Sequence, residues 1–288
     1  MLKRLINLSG SLLVAACDSL RRLVCKVSGV PLPSTCVVLA YHSVTRSQRA
    51  RFAGQMDVVL ETASPVPADV ASLPNSRGHF AAVTFDDGLE NVIHNAIPEL
   101  ITRNIPATLF IVTDVLGGNP KWEYFGGDDP SQERAMTAEQ LASITSDLIT
   151  IGSHTMTHPV LTTLDKDLQL RELAGSKSRL EHISSKPITL FSFPYGAFDD
   201  TAVQSCREAG YSRVFTALPV FAFAENREFV TGRVGVTTED WPIEFRLKIT
   251  GAYRWLPYAF KLKRNLISVL KGRKQDQFPL STPQRRSA

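Results

Sequence analysis

Cysteine is scarce in this 288-residue chain, and the features that the sequence lacks exclude several classes of protein. The four cysteines, Cys17, Cys25, Cys36 and Cys206, never form a CxxC pair, which excludes a thiolate metal knuckle and argues against a disulfide scaffold. No stretch reaches the roughly 18 consecutive apolar residues that a membrane-spanning helix needs. Basic residues interleaved with aromatic residues are also missing, so we expect no nucleic acid partner.

The composition is that of a globular protein with a sizeable core. Apolar residues make up 43% and charged residues 21% of the chain, values far from those of disordered or fibrous sequences. This length suits one large α/β domain or two small domains. The net charge is only +4, and the basic residues concentrate at the two ends. We therefore predict peripheral contact of the basic termini with an acidic surface such as membrane lipid, with solvated tails as the alternative.

Residues 1–30 form a first segment with two open interpretations. The sequence MLKRLINLSGSLLVAAC has a basic start, a short apolar stretch and small residues before Cys17, which is the outline of an export signal. Apolar residues nevertheless recur at helical spacing as far as Val27, with Arg21 and Lys26 between them. That pattern is typical of a basic amphipathic helix lying on a membrane or on the domain.

Residues 36–250 alternate strand and helix patterns and form the predicted main domain. The first strand lies in TCVVLAYHSV and is followed by a polar segment that runs to about residue 78. The later strand patterns are FAAVTF, ATLFIV, LITIGSH, ITLFSF, SRVFTA and FVTGRVGV. Strands that are apolar on both faces and alternate with helices indicate a parallel sheet covered by helices. Residues 251–288 predict a basic amphipathic helix, at 253–271, and a disordered tail.

Polar side chains follow two of these strands, at the ends where parallel α/β folds place their sites. Asp86, Asp87 and Gly88 follow FAAVTF, and two adjacent carboxylates repel each other unless a cation or a shared proton compensates. His154 and His158 have a spacing that puts both imidazoles on one face of a helical turn. Two imidazoles and one carboxylate suit a catalytic divalent metal, with the second carboxylate free as a base. An acidic turn and two core histidines are the alternative.

Three motifs in this order, TFDDG (84–88), SHTMTH (153–158) and FPYG (193–196), resemble those of the polysaccharide deacetylase family, which is the NodB-homology domain or carbohydrate esterase family 4. The likeness extends over about residues 36–245. It implies an α/β fold, a distorted (β/α)7 barrel of the glycoside hydrolase/deacetylase type. It also implies removal of N-acetyl groups from amino sugars with a divalent metal, most often Zn²⁺.

The resemblance assigns roles to individual residues. The implied metal ligands are Asp87, His154 and His158. Asp86 is then the general base that activates water, and the backbone N–H of Tyr195 helps to stabilise the oxyanion. Pro194 and Tyr195 form a tight turn that contacts the substrate.

Two positions depart from the family pattern. Many members carry an arginine two residues before the Pro-Tyr pair, where it braces the base, whereas this chain has Ser192. Arg233, in TGRVGV, is our candidate for that charge, with a surface salt bridge as the alternative. Many members also take a general acid from a late histidine, yet no histidine follows His182. His42, at the end of the first strand, is our candidate, because a closed barrel brings its first and last strands together.

Three aromatic residues are candidates for stacking on a sugar ring. Trp241, beside Asp240 in TTEDWP, is a candidate for the substrate groove, with core packing as the alternative. Trp122 and Tyr124, in the loop after ATLFIV, are further candidates.

The sequence therefore predicts a metal-dependent hydrolase that removes N-acetyl groups from a glycan or glycolipid of the bacterial envelope, associated with the membrane. One alternative keeps this chemistry but takes a lipid-linked amino sugar, as a deacetylase or deformylase. The other is a catalytically silent glycan-binding domain, suggested by the missing arginine and the displaced histidine.

Overall fold

The computed structural model describes residues 1–74, 77–122 and 133–262 of the chain. Within them nine strands form one sheet, and every pairing between these strands is parallel. The strands are β1 (Thr35–Tyr41), β2 (Ser64–Pro65), β3 (His79–Phe85), β4 (Ala107–Ile111), β5 (Ile149–Ser153), β6 (Leu190–Ser192), β7 (Arg213–Phe215), β8 (Val230–Thr231) and β9 (Val234–Gly235). The helices are α1 (Leu2–Ser28), α2 (Arg49–Thr62), α3 (Glu90–Asn95), α4 (Ile97–Thr102), α5 (Ala138–Ala142), α6 (Lys166–Ser184), α7 (Asp200–Glu208) and α8 (Pro242–Ile249).

The sheet curls back on itself. Its strand order is β8-β7-β6-β5-β4-β3-β1-β9, with β2 paired to β3. Strands β8 and β9 stand at opposite ends of this path, yet only Gly232 and Arg233 separate them along the chain. The two ends of the sheet must therefore lie close together. This curled parallel sheet with outer helices confirms the predicted fold class, a distorted α/β barrel.

Alternation along the strands separates an outer core from an inner one. Successive strand residues point to opposite faces, and in β3 Val83 and Phe85 join a large cluster shared with the helices. Phe80 and Ala82 join a second cluster built from strands and loops, inside the curl. Thr84 continues this inner face, and Asp86 follows it just past the strand. The inside of the barrel is thus apolar at the amino ends of the strands and polar at their carboxyl ends.

Helix α2 was not expected from the sequence, which predicted only a polar segment up to about residue 78. Its buried residues include Phe52, Met56 and Val59, whose spacing of four and three residues is that of one helix face. The ring of Phe52 lies 5.3 Å from that of Tyr41 and 5.8 Å from that of Phe85, so α2 covers the β1–β3 pair. Polar residues between these positions hid the pattern.

The apolar spacing of the sequence predicts one helix over residues 89–104, and another over residues 165–183 with Leu168, Leu173 and Leu180 on one face; the structure differs from both predictions. The single helix expected over residues 89–104 is divided into α3 and α4, which meet at Ala96, and Pro98 lies in the first turn of α4. Proline is tolerated there because the first-turn N–H groups have no helical partner. In α6, Leu173 and Leu180 are buried as expected, but Leu168 is 41% exposed and does not share their packing.

Helix α1 packs against the 3₁₀ turn that follows α8, on one side of the barrel. The segment 1–30 contains helix α1, which ends at Gly29 in a left-handed conformation. The predicted helix at 253–271 is described to residue 262, as a 3₁₀ turn (Ala252–Trp255) followed by a helical stretch; its remainder and the predicted tail lie outside the described residues. In the described part of the chain, no helix is both long and apolar enough to cross a membrane.

Replacing Phe52 by alanine is expected to lower the free energy of unfolding by about 3–5 kcal/mol, because it removes a fully buried ring from the outer core. Leu60→Ala is the matched control: the same helix carries Leu60 45% exposed, so its cost should stay within about 0.5 kcal/mol. Urea denaturation measures both. Equal costs for the two variants would contradict the packing of α2.

Candidate active site

A buried ion pair lies at the carboxyl ends of the inner strands. Arg233 donates from Nη1 to Oδ1 and from Nη2 to Oδ2 of Asp86, both at 2.7 Å. Its Nη2 also donates to the Ser192 hydroxyl at 2.7 Å, and its Nη1 to the Thr84 hydroxyl at 3.0 Å. The Arg233 side chain is only 2% exposed. The structure therefore places Arg233 against the predicted base, with Ser192 as a hydrogen-bond partner of both, and not in a surface salt bridge.

This pairing fixes the charge of Asp86. Burial by itself would raise the pKa of a carboxyl group. The Arg233 guanidinium overcomes that effect and holds the pKa of Asp86 well below its usual range. Asp86 is therefore ionised at neutral pH. The Ser192 hydroxyl also donates to Asp86 Oδ2 at 3.3 Å, the oxygen that accepts from Arg233 Nη2.

Asp87, His154 and His158 converge beside the ion pair. One ligand atom from each lies within 4.8 Å of the others, and all three residues are buried. Oδ1 of Asp87 is 3.7 Å from Nε2 of His154 and 3.5 Å from Nε2 of His158. The Nδ1 of His154 lies 2.7 Å from the Ser192 carbonyl oxygen. A carbonyl only accepts, so Nδ1 carries the proton and Nε2 presents its lone pair towards Asp87.

The donor set of this cluster fits a divalent cation. Burial lowers the pKa of His154 below its ordinary range and that of His158 to about 2, so both rings are neutral. Burial, together with the charge of Asp86, raises the pKa of Asp87 to about 8. Among the described residues, no hydrogen-bond donor reaches either carboxylate oxygen of Asp87. At neutral pH a proton or a cation must therefore compensate this carboxyl group, and two neutral imidazoles with one carboxylate oxygen form a ligand set that suits Zn²⁺.

Backbone strain concentrates around this cluster. Asp87 (φ 71°), Thr155 (φ 71°), His158 (φ 62°) and Tyr195 (φ 58°) all adopt left-handed conformations, which non-glycine residues rarely do. Such outliers persist where the surroundings hold them, often at functional sites. Gly88, at φ 69°, could not be replaced cheaply, because a Cβ there would lie 2.9 Å from Ile111.

The helical turn expected for HTMTH is wrong. His154 and His158 lie in an irregular loop after β5, in which Thr155 reverses the chain and its Oγ1 accepts from the His158 N–H at 3.0 Å. Glu172 of α6 fixes this loop, since Oε2 accepts from the backbone N–H groups of Met156 at 2.8 Å and Thr157 at 3.0 Å. The imidazoles converge because of this loop, not because of helical spacing. No pattern in the sequence indicated this function of Glu172.

His42 directly follows β1 and lies at the same end of the barrel. The Asp86 N–H donates to the Tyr41 carbonyl oxygen at 2.9 Å, so the chain entering His42 runs beside the ion pair. Burial lowers the pKa of His42 to about 4, while the charge of Asp86 opposes this and that of Arg233 adds to it. Strand β1 also pairs with β9, with Leu39 opposite Val234. The structure thus brings His42 within electrostatic range of Asp86, Arg233 and His154.

The FPYG motif and Trp122 border the histidines. Pro194–Gly196 forms a 3₁₀ turn after β6, and the Tyr195 ring meets His158 edge-on with centroids 4.7 Å apart. The Trp122 ring stacks on His158 at 4.2 Å. Its Nε1 points towards Asp87 and lowers the pKa of that carboxyl group, without completing a hydrogen bond. Tyr124 lies outside the described residues.

Trp241 is the predicted site residue that the structure does not bring to this cluster. The Arg4 guanidinium of α1 lies over its ring, 4.3 Å from the centroid. Asp240 beside it pairs with Lys248 at 2.7 Å. One face of the Trp241 ring, which was expected to stack on a sugar, is thus covered by a cation from the first helix.

An ionised, arginine-paired carboxylate beside a set of metal-ligand side chains is equipped to activate water, so fold and site define a hydrolase of the α/β class. Residues 74–214 match the model of a family described as polysaccharide deacetylase. YxkH of Bacillus subtilis strain 168, which is named as a polysaccharide deacetylase, is 24% identical over 216 residues, covering 71% of this chain and 72% of that protein.

Two solved structures share the fold. IcaB from Ammonifex degensii superimposes with a TM-score of 0.61 at 27% identity, over 75% of this chain and 99% of that one. The deacetylase PplD of Streptococcus pyogenes, solved with acetate, gives a TM-score of 0.60 at 18% identity, over 76% of this chain and 99% of that one. The chain belongs to the polysaccharide deacetylase family and is an N-deacetylase, a hydrolase of linear amides.

Replacing Arg233 by methionine is expected to lower the free energy of unfolding by about 3–5 kcal/mol, because it leaves the Asp86 carboxylate buried without its partner. Adding Asp86→Asn to this variant should restore part of the loss. The control is Arg179→Met, since the Arg179–Asp114 pair is largely exposed and should contribute less than about 1 kcal/mol. Denaturant unfolding of all three variants is the measurement, and similar costs for Arg233→Met and Arg179→Met would contradict a buried pair.

Proposed function

We propose that this deacetylase is metal-dependent and removes N-acetyl groups from amino sugars in a glycan of the bacterial envelope. The proposal rests on two adjacent aspartates in different environments. Asp86 is hydrogen-bonded to Arg233, and Asp87 faces two neutral imidazoles. The similarity to a bacterial deacetylase that was solved with acetate supports the acyl group.

Asp87, His154 and His158 are the residues that would hold the metal. The two neutral imidazole nitrogens favour Zn²⁺ among the common divalent ions. A bound divalent ion would lower the pKa of water and polarise the acetamide carbonyl. The hydrogen bond from His154 Nδ1 to the Ser192 carbonyl fixes the ring with Nε2 free to bind.

Asp86 and His42 divide the proton transfers in this proposal. Asp86 accepts the proton of the attacking water at a carboxylate oxygen, and Arg233 keeps that carboxylate ionised and oriented. His42 is neutral at neutral pH, so it takes up this proton from Asp86 and delivers it to the leaving nitrogen of the amino sugar, and the amine leaves in neutral form. The backbone N–H of Tyr195 donates to the developing oxyanion. Pro194, with Tyr195, holds the turn against the substrate.

The direct test is acetate release from N-acetylglucosamine oligomers by the purified protein after loading with Zn²⁺ or Co²⁺. Release that depends on the metal supports the proposal. Sugar binding without any acetate release would indicate a silent glycan-binding domain instead. Formate release from a formylated, lipid-linked amino sugar would redirect the acyl specificity and leave the chemistry unchanged.

Replacing Asp87 by asparagine is expected to abolish stoichiometric metal binding, because a neutral amide replaces the charged ligand between the imidazoles. Elemental analysis after dialysis against Zn²⁺ measures this without reference to activity. Asp114→Asn, which changes a carboxylate of the exposed ion pair with Arg179, should keep the metal. Full metal content in Asp87→Asn would contradict the ligand assignment.

Replacing His42 by alanine is expected to lower kcat for an N-acetyl amino sugar about 10²–10⁴-fold, because the leaving amine loses its proton donor. The same variant should hydrolyse 4-nitrophenyl acetate nearly as well as the wild type, since nitrophenolate leaves without a proton. His94→Ala, in an exposed position, is the control. Equal losses on both substrates would show that His42 has a structural function only.

A further inference from the structure

Helix α1 docks on the domain through polar and small residues together with two partly buried apolar residues, Leu8 and Val14. Arg4 donates from Nε to Glu244 Oε2 at 2.7 Å, and Asp18 accepts two bonds from the Arg254 guanidinium at 2.6 and 2.7 Å. The buried Ser11 hydroxyl accepts from Trp255 Nε1 at 3.0 Å. At Gly10 the helix backbone comes so close to the Trp255 ring that a Cβ would lie 2.3 Å from it. The helix is therefore fitted to the domain and held there by ion pairs.

Most of the apolar residues of α1 point the other way. At about 100° per residue they fall within about 120° of the helix circumference, opposite the docked side. We call this set the outer face; it consists of Leu2, Leu5, Ile6, Leu12, Leu13, Leu20, Leu23, Val24 and Val27. All nine are exposed, by 42% for Leu5 up to 82% for Val27. At about 1.5 Å per residue the outer face is nearly 40 Å long.

This orientation is the reverse of the usual one. A surface helix of a globular protein turns its apolar stripe to the core and its polar residues to water. Here ion pairs and a hydroxyl face the domain, and leucine, isoleucine and valine face outwards. Apolar patches of this length mark surfaces that bind another apolar phase or partner.

The charges along α1 favour one kind of occupant. The helix carries five basic residues and one acidic residue, Asp18, which the domain neutralises through Arg254. Lys3 and Arg21 border one edge of the outer face and Lys26 the other. If the outer face of a second copy of this chain packed here, its basic residues would repel the basic residues of the first copy. The sequence of residues 263–274 is also basic, so that segment is a poor cover for the same reason.

We propose that α1 binds the surface of an anionic lipid membrane with its outer face while its polar face stays docked on the domain. The apolar side chains enter the boundary between headgroups and acyl chains, and the flanking lysine and arginine side chains reach the lipid phosphates. The inference requires α1 to stay attached to the domain, and it does not depend on the catalytic proposal.

The docked helix also sets how the barrel faces the membrane. At its amino end, Arg4 donates to the Glu239 carbonyl oxygen at 2.8 Å, in the loop that follows β9 at the same end of the sheet as Asp86. At its carboxyl end, Arg22 is near enough to His79, where β3 begins, to lower the pKa of that ring, after the larger effect of burial. Helix α1 thus runs antiparallel to the inner strands, with its first turn at the catalytic end.

The test is co-sedimentation of the full chain with two kinds of vesicle, phosphatidylcholine mixed with phosphatidylglycerol and phosphatidylcholine alone. We expect binding to the anionic vesicles and at least about tenfold weaker binding to the neutral ones, as expected for an electrostatically assisted interfacial helix. Replacing Leu13 and Leu20 together by aspartate should abolish binding. Arg21→Glu with Lys26→Glu should weaken binding to anionic vesicles towards the neutral level.

The matched control is Ile101→Asp with Leu168→Asp, which changes two exposed apolar residues of α4 and α6 and should leave vesicle binding unchanged. Because Leu13 and Leu20 are exposed, their replacement should not alter the melting temperature or the acetate release from soluble oligomers. Unchanged vesicle binding of the Leu13 and Leu20 variant would overturn the proposal. So would a chain that ignores anionic vesicles and forms a dimer that this variant dissociates.

Discussion

The guanidinium group of Arg233 connects the inner strands of the curled sheet. It binds Thr84 and Asp86 at the end of β3 and Ser192 at the end of β6, and its Nε donates to the Thr216 carbonyl oxygen after β7 at 3.3 Å. Arg233 itself lies between β8 and β9, the two ends of the sheet. One buried cation therefore stabilises the carboxyl ends of the barrel and also keeps ionised the carboxylate that we propose as the base. Without a partner, Asp86 would be a costly buried charge and a protonated, inactive acid.

The same constraint separates the roles of two adjacent aspartates. Asp86 points along the inner face of β3 towards Arg233, whereas the left-handed conformation of Asp87 turns its side chain to the histidines. Gly88, held close to Ile111, completes this reversal. The environments then differ: one carboxylate is satisfied by a guanidinium and hydroxyls, and the other has no hydrogen-bond donor in the part of the chain described. Sequence neighbours thus serve different chemistry because the backbone sends them in opposite directions.

Local patterns in the sequence were enough to predict the strands, the parallel sheet and the ends at which polar residues gather. Long-range geometry was not available from them. The partner of Arg233 depends on β8 and β9 meeting around the sheet, which no local pattern encodes. The HTMTH spacing suggested a helical turn, but a loop held by Glu172 produces the convergence. Amphipathicity of residues 1–30 was evident, yet only tertiary packing shows that Arg4, Ser11 and Asp18 face the domain.

The contact of Trp241 with a cation could not be predicted for the same reason, since the guanidinium over its ring comes from the distant Arg4. That contact also joins the first helix to the loop at the catalytic end. Direct contacts therefore join the proposed membrane face to the catalytic end, so a membrane-bound α1 would set the orientation of the barrel.

The central claim is that Asp86 moves the proton while its neighbour binds the metal. Bound Zn²⁺ and acetate release, measured on the same preparation of Asp86→Asn, test it most directly. The account predicts the metal content of the wild type and a loss of acetate release of about 10²-fold or more. Acetate release at the wild-type rate, or a loss of metal together with activity, would contradict the division of roles.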